Sequence, residues 1–345
     1  MKQPIIAAEE AANLIRGEDV LIVGGNGGMG VSESILAALE ARFLETGKPR
    51  DLTLFHVTGI GAVTEKGLCH LAHKGLIRRV IGGNYGVQLP FMRDLIVANE
   101  IEAYNLPQGV MAQLCRAMAA KHPGVVTHVG LDTYMDPRQT GGRMNERTQE
   151  EIVERVQLRG RDWLFYHAPV PDVAVIRGTT ADEDGYVSME HEATTREDIS
   201  IAQAVHNAGG TVICEGKRLA RRGSLHPQMV QIPGFVIDYI VVDPEQQQTY
   251  GTRFDPSRSG ETIAPASAIE PDSLTPRRIM ARRAALELAP GDVINLGVGV
   301  SAMIPNVAAE EGVDDQMTLT VEAGVIGGVP GHGLHFGSSF NPRAI

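Results

Sequence analysis

Residues 19–30 read DVLIVGGNGGMG. Four apolar residues, Val20–Val23, run into a segment in which five of the seven residues 24–30 are glycine. A short apolar run bounded by glycine is the pattern of a buried strand. The following SESILAALEARFLETG (32–47) predicts a helix over 32–46. Ile35, Leu36, Leu39 and Phe43 fall on one helical face, Ser32 suits the N-cap, and Gly47 ends the helix. A helix-forming AAEEAANLIR precedes the strand, and DLTLFHVTG (51–59) supplies a second strand after the helix. The order is helix, strand, glycine loop, helix, strand.

The same plan returns near the end of the chain. RRIMARRAALELAPGDVINLGVGVSAMIPNVAAEEG (277–312) predicts a helix, a strand at 292–296, a glycine-rich loop at 297–299 and a helix at 301–311. Thr275 and Pro276 form an N-cap and first-turn pair. QMTLTVEAG (316–324) then stands where DLTLFHVTG stood, so Glu322 falls opposite Val57. The expectation is an α/β protein of two related open α/β domains made by internal duplication, with parallel strands joined by helices and a second domain that is incomplete. The first domain is placed at 1–263 and a Pro-, Ala- and Ser-rich linker at 264–276. The start of the second domain is placed at 277–345. A polar, glycine-rich end without a closing helix suggests the N-terminal portion of a longer protein.

Between the copies, RRVIGGNYG (78–86) and EIEAYNLPQG (100–109) look like strands ending in loops. A helix is predicted over 109–121, with Gln108 just before its start and Val110, Met111, Leu114, Cys115 and Met118 on one face. Residues 163–255 read as short strands with hairpin turns, as in VAVIRGTTADEDGYVSME (173–190).

Hydrophobic residues make up 43% of the 345 and charged residues 21%, an ordinary soluble composition. A net charge of −11 argues against nucleic-acid binding, which needs a basic face. No apolar run reaches the roughly 20 residues of a membrane span. Cys69, Cys115 and Cys214 are far apart and have no CxxC spacing, as expected of reduced thiols in a cytoplasmic protein.

Gly25-x-Gly27-x-x-Gly30 matches a dinucleotide fingerprint, but FHVTG at the end of the second strand lacks the acidic residue that would hold a ribose. Bare amides at a helix N-terminus are instead suited to an anion or a developing oxyanion. Asp182, Asp184 and Gly185 echo a calcium loop without its later ligands and predict a hairpin turn. Lys217, Arg218, Arg221 and Arg222, with Arg277, Arg278, Arg282 and Arg283, read as solvated faces. No HExxH or GxSxG is present, so neither zinc nor serine-hydrolase chemistry is supported, and no metal is expected.

Glu322 stands out. It lies at the carboxyl end of an expected parallel strand, where α/β sheets build their sites, beside Gly324, Gly327 and Gly328. The matching position carries Val57, so the fold does not require an acid there. A carboxylate can serve as base, metal ligand or nucleophile. With no second acid or histidine nearby, nucleophilic attack on an activated acyl group such as a thioester fits best.

These residues resemble a family I coenzyme A transferase of the acetate/propionate and 3-oxoacid type. The strings that carry the resemblance are VIGGNYG, EAYNLPQG, GLDTYMDPRQTGG, VAVIRGTTADEDG, GSLHPQMVQIPG, INLGVGV, LTVEAGVIGGVP and FGSSFNP, spread over nearly the whole chain. The resemblance implies two related α/β domains with the active site between them. It implies that Glu322 forms acyl-glutamyl anhydride and glutamyl-CoA thioester intermediates in ping-pong transfer of coenzyme A from a short-chain acyl-CoA to a carboxylate such as acetate. Gln108, Asn26, Gly27 and Gly28 would line the substrate site. Gly297, Gly299, Gly327 and Gly328 would lie near CoA and its thioester. Coenzyme A would be a substrate, with no tightly bound cofactor, and a homo-oligomer is expected. HVTG replaces the asparagine pair of the succinyl-transferring branch and points to acetyl-, propionyl- or butyryl-CoA. A thioester hydrolase on the same scaffold and a non-catalytic ligand-binding module are the alternatives.

Overall fold

A computed structural model of the chain describes residues 3–62, 65–86, 89–265 and 273–345. Residues 266–272 of the expected linker lie outside the described residues. The chain forms two compact units. The first takes residues up to Asn26, then Gly30–Met189 and Arg196–Gln246. The second takes Gly27–Met29, Glu190–Thr195 and Gln247–Ile345. The observed division therefore follows Gln246, ahead of the boundary expected at 263, and the short segments 27–29 and 190–195 group with the second unit.

The first unit contains β1 (Ile5–Ile6), α1 (Ala8–Leu14), β2 (Val20–Val23), α2 (Glu33–Thr46), β3 (Leu52–His56), β4 (Ile77–Gly82), α3 (Pro90–Val97), β5 (Glu102–Asn105) and α4 (Gln108–Ala119). It continues with β6 (Gly124–Thr127), β7 (Val153–Leu158), β8 (Arg161–His167), β9 (Val173–Asp182), β10 (Val187–Ser188), α5 (Asp198–Ala208), β11 (Thr211–Ala220), β12 (Val230–Ile232) and β13 (Tyr239–Val242). The main sheet runs β1-β13-β11-β9-β2-β3-β4-β5, and every pairing along that path is parallel. Strands β6, β8 and β7 form a separate antiparallel sheet.

Both faces of the main sheet are covered, as a parallel sheet requires. Ile22, Phe55, Ile81, Ala174, Ile176 and Cys214 cluster with Leu114, Cys115 and Met118 of α4 and with Ile201 and Val205 of α5. Leu21, Val23, Leu54 and Val175 alternate with them and are equally buried, on the opposite face. Helix α2 stops where Gly47 enters the left-handed region at φ 67°. Helix α4 starts one residue earlier than expected, with Pro107 at the cap position and Gln108 as its first helical residue.

Two expectations need correction. Residues 163–255 are not only short strands and hairpins. Strands β9 and β11, each ten residues long, are joined by α5 into a parallel βαβ unit at the centre of the sheet. Arg177, Thr179, Thr180 and Asp182 interrupt the apolar pattern of β9, yet all ten of its residues are buried. The hairpin reading of the following turn holds. β10 folds back antiparallel on β9, and Asp182 Oδ1 accepts from the amides of Asp184 and Tyr186 at 3.0 Å. Ser32 is the second correction. It occupies the cap position of α2 but caps nothing, because its hydroxyl donates to Ile176 O at 2.9 Å.

The second unit contains α6 (Pro276–Ala285), β14 (Val293–Leu296), α7 (Ile304–Glu310), β15 (Thr318–Val321), β16 (Val329–Pro330) and β17 (Ser339–Phe340). Thr275 Oγ1 accepts from the Arg278 amide at 3.2 Å, the expected N-cap. The helix expected over 301–311 opens as a 3-10 turn at Ser301–Met303, and α7 begins beside Pro305, whose missing N–H costs nothing in a first turn. Strands β14 and β15 pair in parallel across α7. Their register, Val293 with Thr318 through Leu296 with Val321, is that of Val20 with Thr53 through Ile22 with Phe55 in the first copy. The duplication thus extends to individual pairings.

Among the described residues no helix is long and apolar enough to cross a membrane. Four of the eight residues in the basic clusters are answered by acids. Arg278 donates to Glu310, Arg282 to Glu311, Arg283 to Glu287 and Arg222 to Asp184.

Leu114, fully buried in the core shared by α4 and α5, tests this packing. Leu114→Ala is expected to lower the stability of the first unit by about 2–5 kcal/mol in urea unfolding. A loss well under about 1 kcal/mol would contradict the assignment of that face to the core.

Candidate active site

Parallel strands present their carboxyl ends along one edge of a sheet, where loops can bring side chains together. In the first unit this edge carries the glycine loop after β2, the segment after β3, and the turns after β4 and β5. The glycine loop is shaped by buried charge. A side chain at Gly24 would collide with Asp198 Oδ1, and one at Gly30 would collide with the Arg196 guanidinium. Arg196 and Asp198 form an ion pair at 2.9 Å with both side chains almost wholly buried. Arg196 also donates to Arg177 O at 3.3 Å, and Arg177 donates to Val31 O at 3.0 Å. Of the three fingerprint glycines, Gly30 therefore admits a protein side chain, Gly25 has the Ile60 side chain 3.1 Å from the point where a Cβ would stand, and Gly27 has φ 55°, so the spacing is accounted for by the protein's own packing and backbone.

The first turn of α2 already holds an anion-forming group of the protein itself. Glu215 Oε2 on β11 accepts from Ser34 N at 3.2 Å and Ser34 Oγ at 2.5 Å, and its other oxygen accepts from Gln246 Nε2 at 3.2 Å. Glu215 has no exposed surface, and burial pushes its carboxyl up to about 7 despite the Ser34 hydroxyl and Arg177.

At the end of β3, His56 is fully buried with its ring edge-on to Tyr85. Its Nδ1 lies 2.7 Å from Thr58 O, so Nδ1 carries the hydrogen and donates. Burial pushes the imidazole down to about 4 and keeps it neutral. The ring lies where a side chain at Gly82 would sit. One residue on, Gly83 has the Val57 carbonyl against the space a Cβ would take, with Gln108 Cγ 2.6 Å from that space. Val57, Gly83 and Gln108 are thus packed together, with Gln108 half-buried. Asn26, also half-buried, follows β2 on the same edge.

In the second unit, Glu322 directly follows β15 and is exposed. Because Leu296 pairs with Val321, Gly297 and Glu322 leave adjacent strands side by side at one sheet edge. The backbone turns sharply after Glu322. Gly324 N donates to Val321 O at 3.0 Å, and Gly327 N reaches back to Leu319 O at 2.7 Å. Gly327 and Gly328 have φ of 77° and 70°. A side chain at Gly328 would strike the Phe340 carbonyl, so glycine is needed for close backbone approach as well as for conformation. Gly299 is exposed at φ 104°, with nothing within 4 Å of the point where a Cβ would stand. Gly27 and Gly28 belong to the second unit by their contacts, and a Cβ at Gly28 would lie 2.6 Å from the Tyr250 ring.

The structure thus joins Gln108 with Val57 in the first unit, and Gly297 with Glu322 in the second. Arg177, Arg196, Asp198 and Glu215 were missed. For Glu215 in TVICEG and Arg177 in VAVIRG the signal in the sequence was charge within an otherwise apolar strand, whereas Arg196 and Asp198, in the polar TTREDIS at the start of α5, gave none.

A family model described as "Coenzyme A transferase" matches residues 5–243. The acetate CoA-transferase YdiF of Escherichia coli O157:H7 is 41% identical over 347 residues, which take in 99% of this chain and 65% of that protein. The caffeate CoA-transferase of Acetobacterium woodii is 40% identical over 342 residues, 98% of this chain and 65% of that protein. The crystal structure of E. coli O157:H7 YdiF described as a thioester complex with CoA superposes with a TM-score of 0.91 at 40% identity, covering all of this chain and 65% of that one. The chain spans about two thirds of the length of these relatives. With a duplicated parallel α/β fold, a match over most of its length and relatives at this identity, the chain belongs to the coenzyme A transferase family.

Proposed function

We propose that the protein transfers coenzyme A from a short-chain acyl-CoA to a carboxylate such as acetate, with Glu322 as nucleophile. The observation that carries this reading is the exposed carboxylate one residue beyond β15, in the same register at which the first copy carries Val57. The names of the acetate and caffeate transferases support the reaction class.

A Glu322 oxygen attacks the thioester carbonyl carbon. The C–S bond breaks, CoA leaves as thiolate, and an acyl-glutamyl anhydride remains. The thiolate then attacks the glutamyl carbonyl, releases the acyl group as a carboxylate and leaves a glutamyl-CoA thioester. An acceptor carboxylate attacks that thioester, giving a new anhydride and thiolate. Attack of the thiolate on the acceptor's carbonyl yields the new acyl-CoA and restores Glu322. Each intermediate keeps an activated acyl group, so no step requires an external energy source.

Every attack develops an oxyanion. Gln108, Asn26, Gly27 and Gly28 are proposed to line the reacting group, and a well-placed donor is worth about 3–4 kcal/mol in such a step. Gly297 and Gly299, open where a Cβ would stand, are proposed to leave room for CoA and its thioester, and the backbone of Gly327 and Gly328 is proposed to lie close to it. HVTG at 56–59 favours a small acyl group over succinyl.

In the full-length protein, Glu322→Gln is expected to lower transfer to acetate by about a thousandfold or more. Borohydride reduction of wild type treated with acyl-CoA should mark the Glu322 peptide by mass spectrometry. Turnover that survives the substitution, or an unmarked peptide in active enzyme, would sink the mechanism. Acyl-CoA loss that is indifferent to added acetate would indicate hydrolysis instead.

Gly83 offers a separate check. Gly83→Ala places a methyl against Val57 O and Gln108, whereas Gly109→Ala enters open space. The first is expected to lower transfer at least about tenfold, and the second to leave it unchanged. Equal activities would remove Gln108 from the reaction.

A further inference from the structure

The start of α2 is held in an unusual way. Ser32 has the residue type and position of an N-cap, but its hydroxyl is committed to Ile176 O. The cap arrives instead from β11, 181 residues along the chain, as the Glu215 carboxylate on Ser34 N and Ser34 Oγ. The glycine loop ends at Gly30 and α2 starts at Glu33, so this contact holds the first turn of the helix into which the loop runs.

We propose that Glu215 is a positioning residue whose ionised carboxylate holds the α2 end of the glycine loop in its working geometry, so that protonating this one side chain lowers the rate of coenzyme A transfer. The kinetic part rests on the transferase reading.

The argument turns on donors. Ser34 N, Ser34 Oγ and Gln246 Nε2 all have hydrogens to give to Glu215. A carboxylate accepts from all three. A carboxylic acid is uncharged and has a hydrogen of its own, so all three bonds lose their charge assistance and the added hydrogen competes with the Ser34 and Gln246 donors for space at the two oxygens. The Ser34 hydroxyl can rotate away, but the Ser34 amide is fixed by the helix and needs its acceptor. The charged form therefore keeps the cap and the neutral form weakens it. The helix dipole also favours the charge at this end.

Complete burial opposes the charge. The charged and titratable groups acting on Glu215 are Arg177 on β9, which favours ionisation, and Asp243 beyond β13, which opposes it. From α2 it meets the neutral Ser34, and from the segment after β13 the neutral Gln246. These effects balance near neutrality, with the carboxyl pushed up to about 7. The ionised form is present above that pH and is lost as pH falls through it.

The test uses full-length wild type, Glu215→Gln and Ser34→Ala, with two readouts. Hydrogen exchange at the Ser34 and Ile35 amides, corrected for intrinsic rates, reports the cap without reference to activity. In wild type, protection is expected to fall about tenfold between pH 8 and pH 6, whereas Glu215→Gln should be low and flat. The kcat for transfer should follow the same midpoint, near 7, with little change in KM. Glu215→Gln should lack that limb and run about tenfold slower at pH 8.

Ser34→Ala deletes one donor to the charged form and should raise the midpoint. It decides the matter if Glu215→Gln does not fold, and an unmoved midpoint overturns the proposal. Wild-type rate and pH profile in Glu215→Gln also overturn it. If protection changes but kcat does not, Glu215 is structural only and the positioning role is wrong. If wild type shows no transfer at all, the transferase reading fails on its own, and pH-independent protection at Ser34 then refutes the switch.

Discussion

The pairing of Leu296 with Val321 is the contact on which the candidate chemistry depends. Strand side chains alternate with a period of two, so a slip of one residue would turn Glu322 toward the other face. The register is enforced by a parallel crossover through α7, and Leu296, Leu319 and Met317 are buried together beneath it. In the first copy the same register sits within the large sheet, with β2 and β3 flanked on both sides, and the position after β3 holds a nearly buried valine. One backbone solution therefore serves two purposes. The first copy uses its strand end for packing, and the second exposes a carboxylate there.

Beneath the carboxyl edge of the large sheet lie Arg177, Arg196, Asp198 and Glu215, all buried. Burying ionised groups is unfavourable unless hydrogen bonds and opposite charges answer them. Here they are answered by backbone carbonyls at Val31 and Arg177, by the amide of Ser34 and by one another. These contacts tie β9, β11 and the starts of α2 and α5 to the glycine loop. An apolar core could hold the same strands together, but it would not specify where a loop of five glycines runs. The polar network supplies that specification.

Much of this architecture was legible in the sequence because it rests on local signals. The glycine-bounded apolar run at 20–23, the stop at Gly47, and the Thr275–Pro276 start all report on their own residues. The repeat was legible because two copies of a short pattern carry more information than one. What stayed hidden depends on distant partners. Ser32 has every local mark of a cap, yet the contest for its hydroxyl is settled by Ile176, 144 residues away. The length of β9 was obscured because its buried polar residues break the apolar period and because Gly178 lies within it, a flat spot over which Val187 of β10 packs. Glu322 could be singled out since its oddity is local: an acid among glycines at a strand end. Glu215 could not, since a lone acid within TVICEG acquires meaning only from Ser34.

The loop after β15 separates two requirements that conflict in a reactive group. A nucleophile must be accessible, but it must also be held, because the advantage of a bound reaction comes from restricted approach. At 321–328 the restriction falls on the backbone. Val321 N bonds to Val325 O at 3.2 Å, Ile326 N to Ala344 O at 3.0 Å and Gly327 N to Leu319 O at 2.7 Å, while Arg343 N returns a bond to Ile326 O at 2.8 Å. The Glu322 side chain is left exposed. The left-handed glycines at 324, 327 and 328 make this possible, since they let the chain reverse tightly, and Gly327 and Gly328 also admit Arg343 and the Phe340 carbonyl against the backbone. A side chain at Gly327 would meet Arg343 and one at Gly328 the Phe340 carbonyl, and either would disturb this hydrogen-bonded frame. The bareness of the loop is thus the means by which a fixed backbone presents an accessible acid.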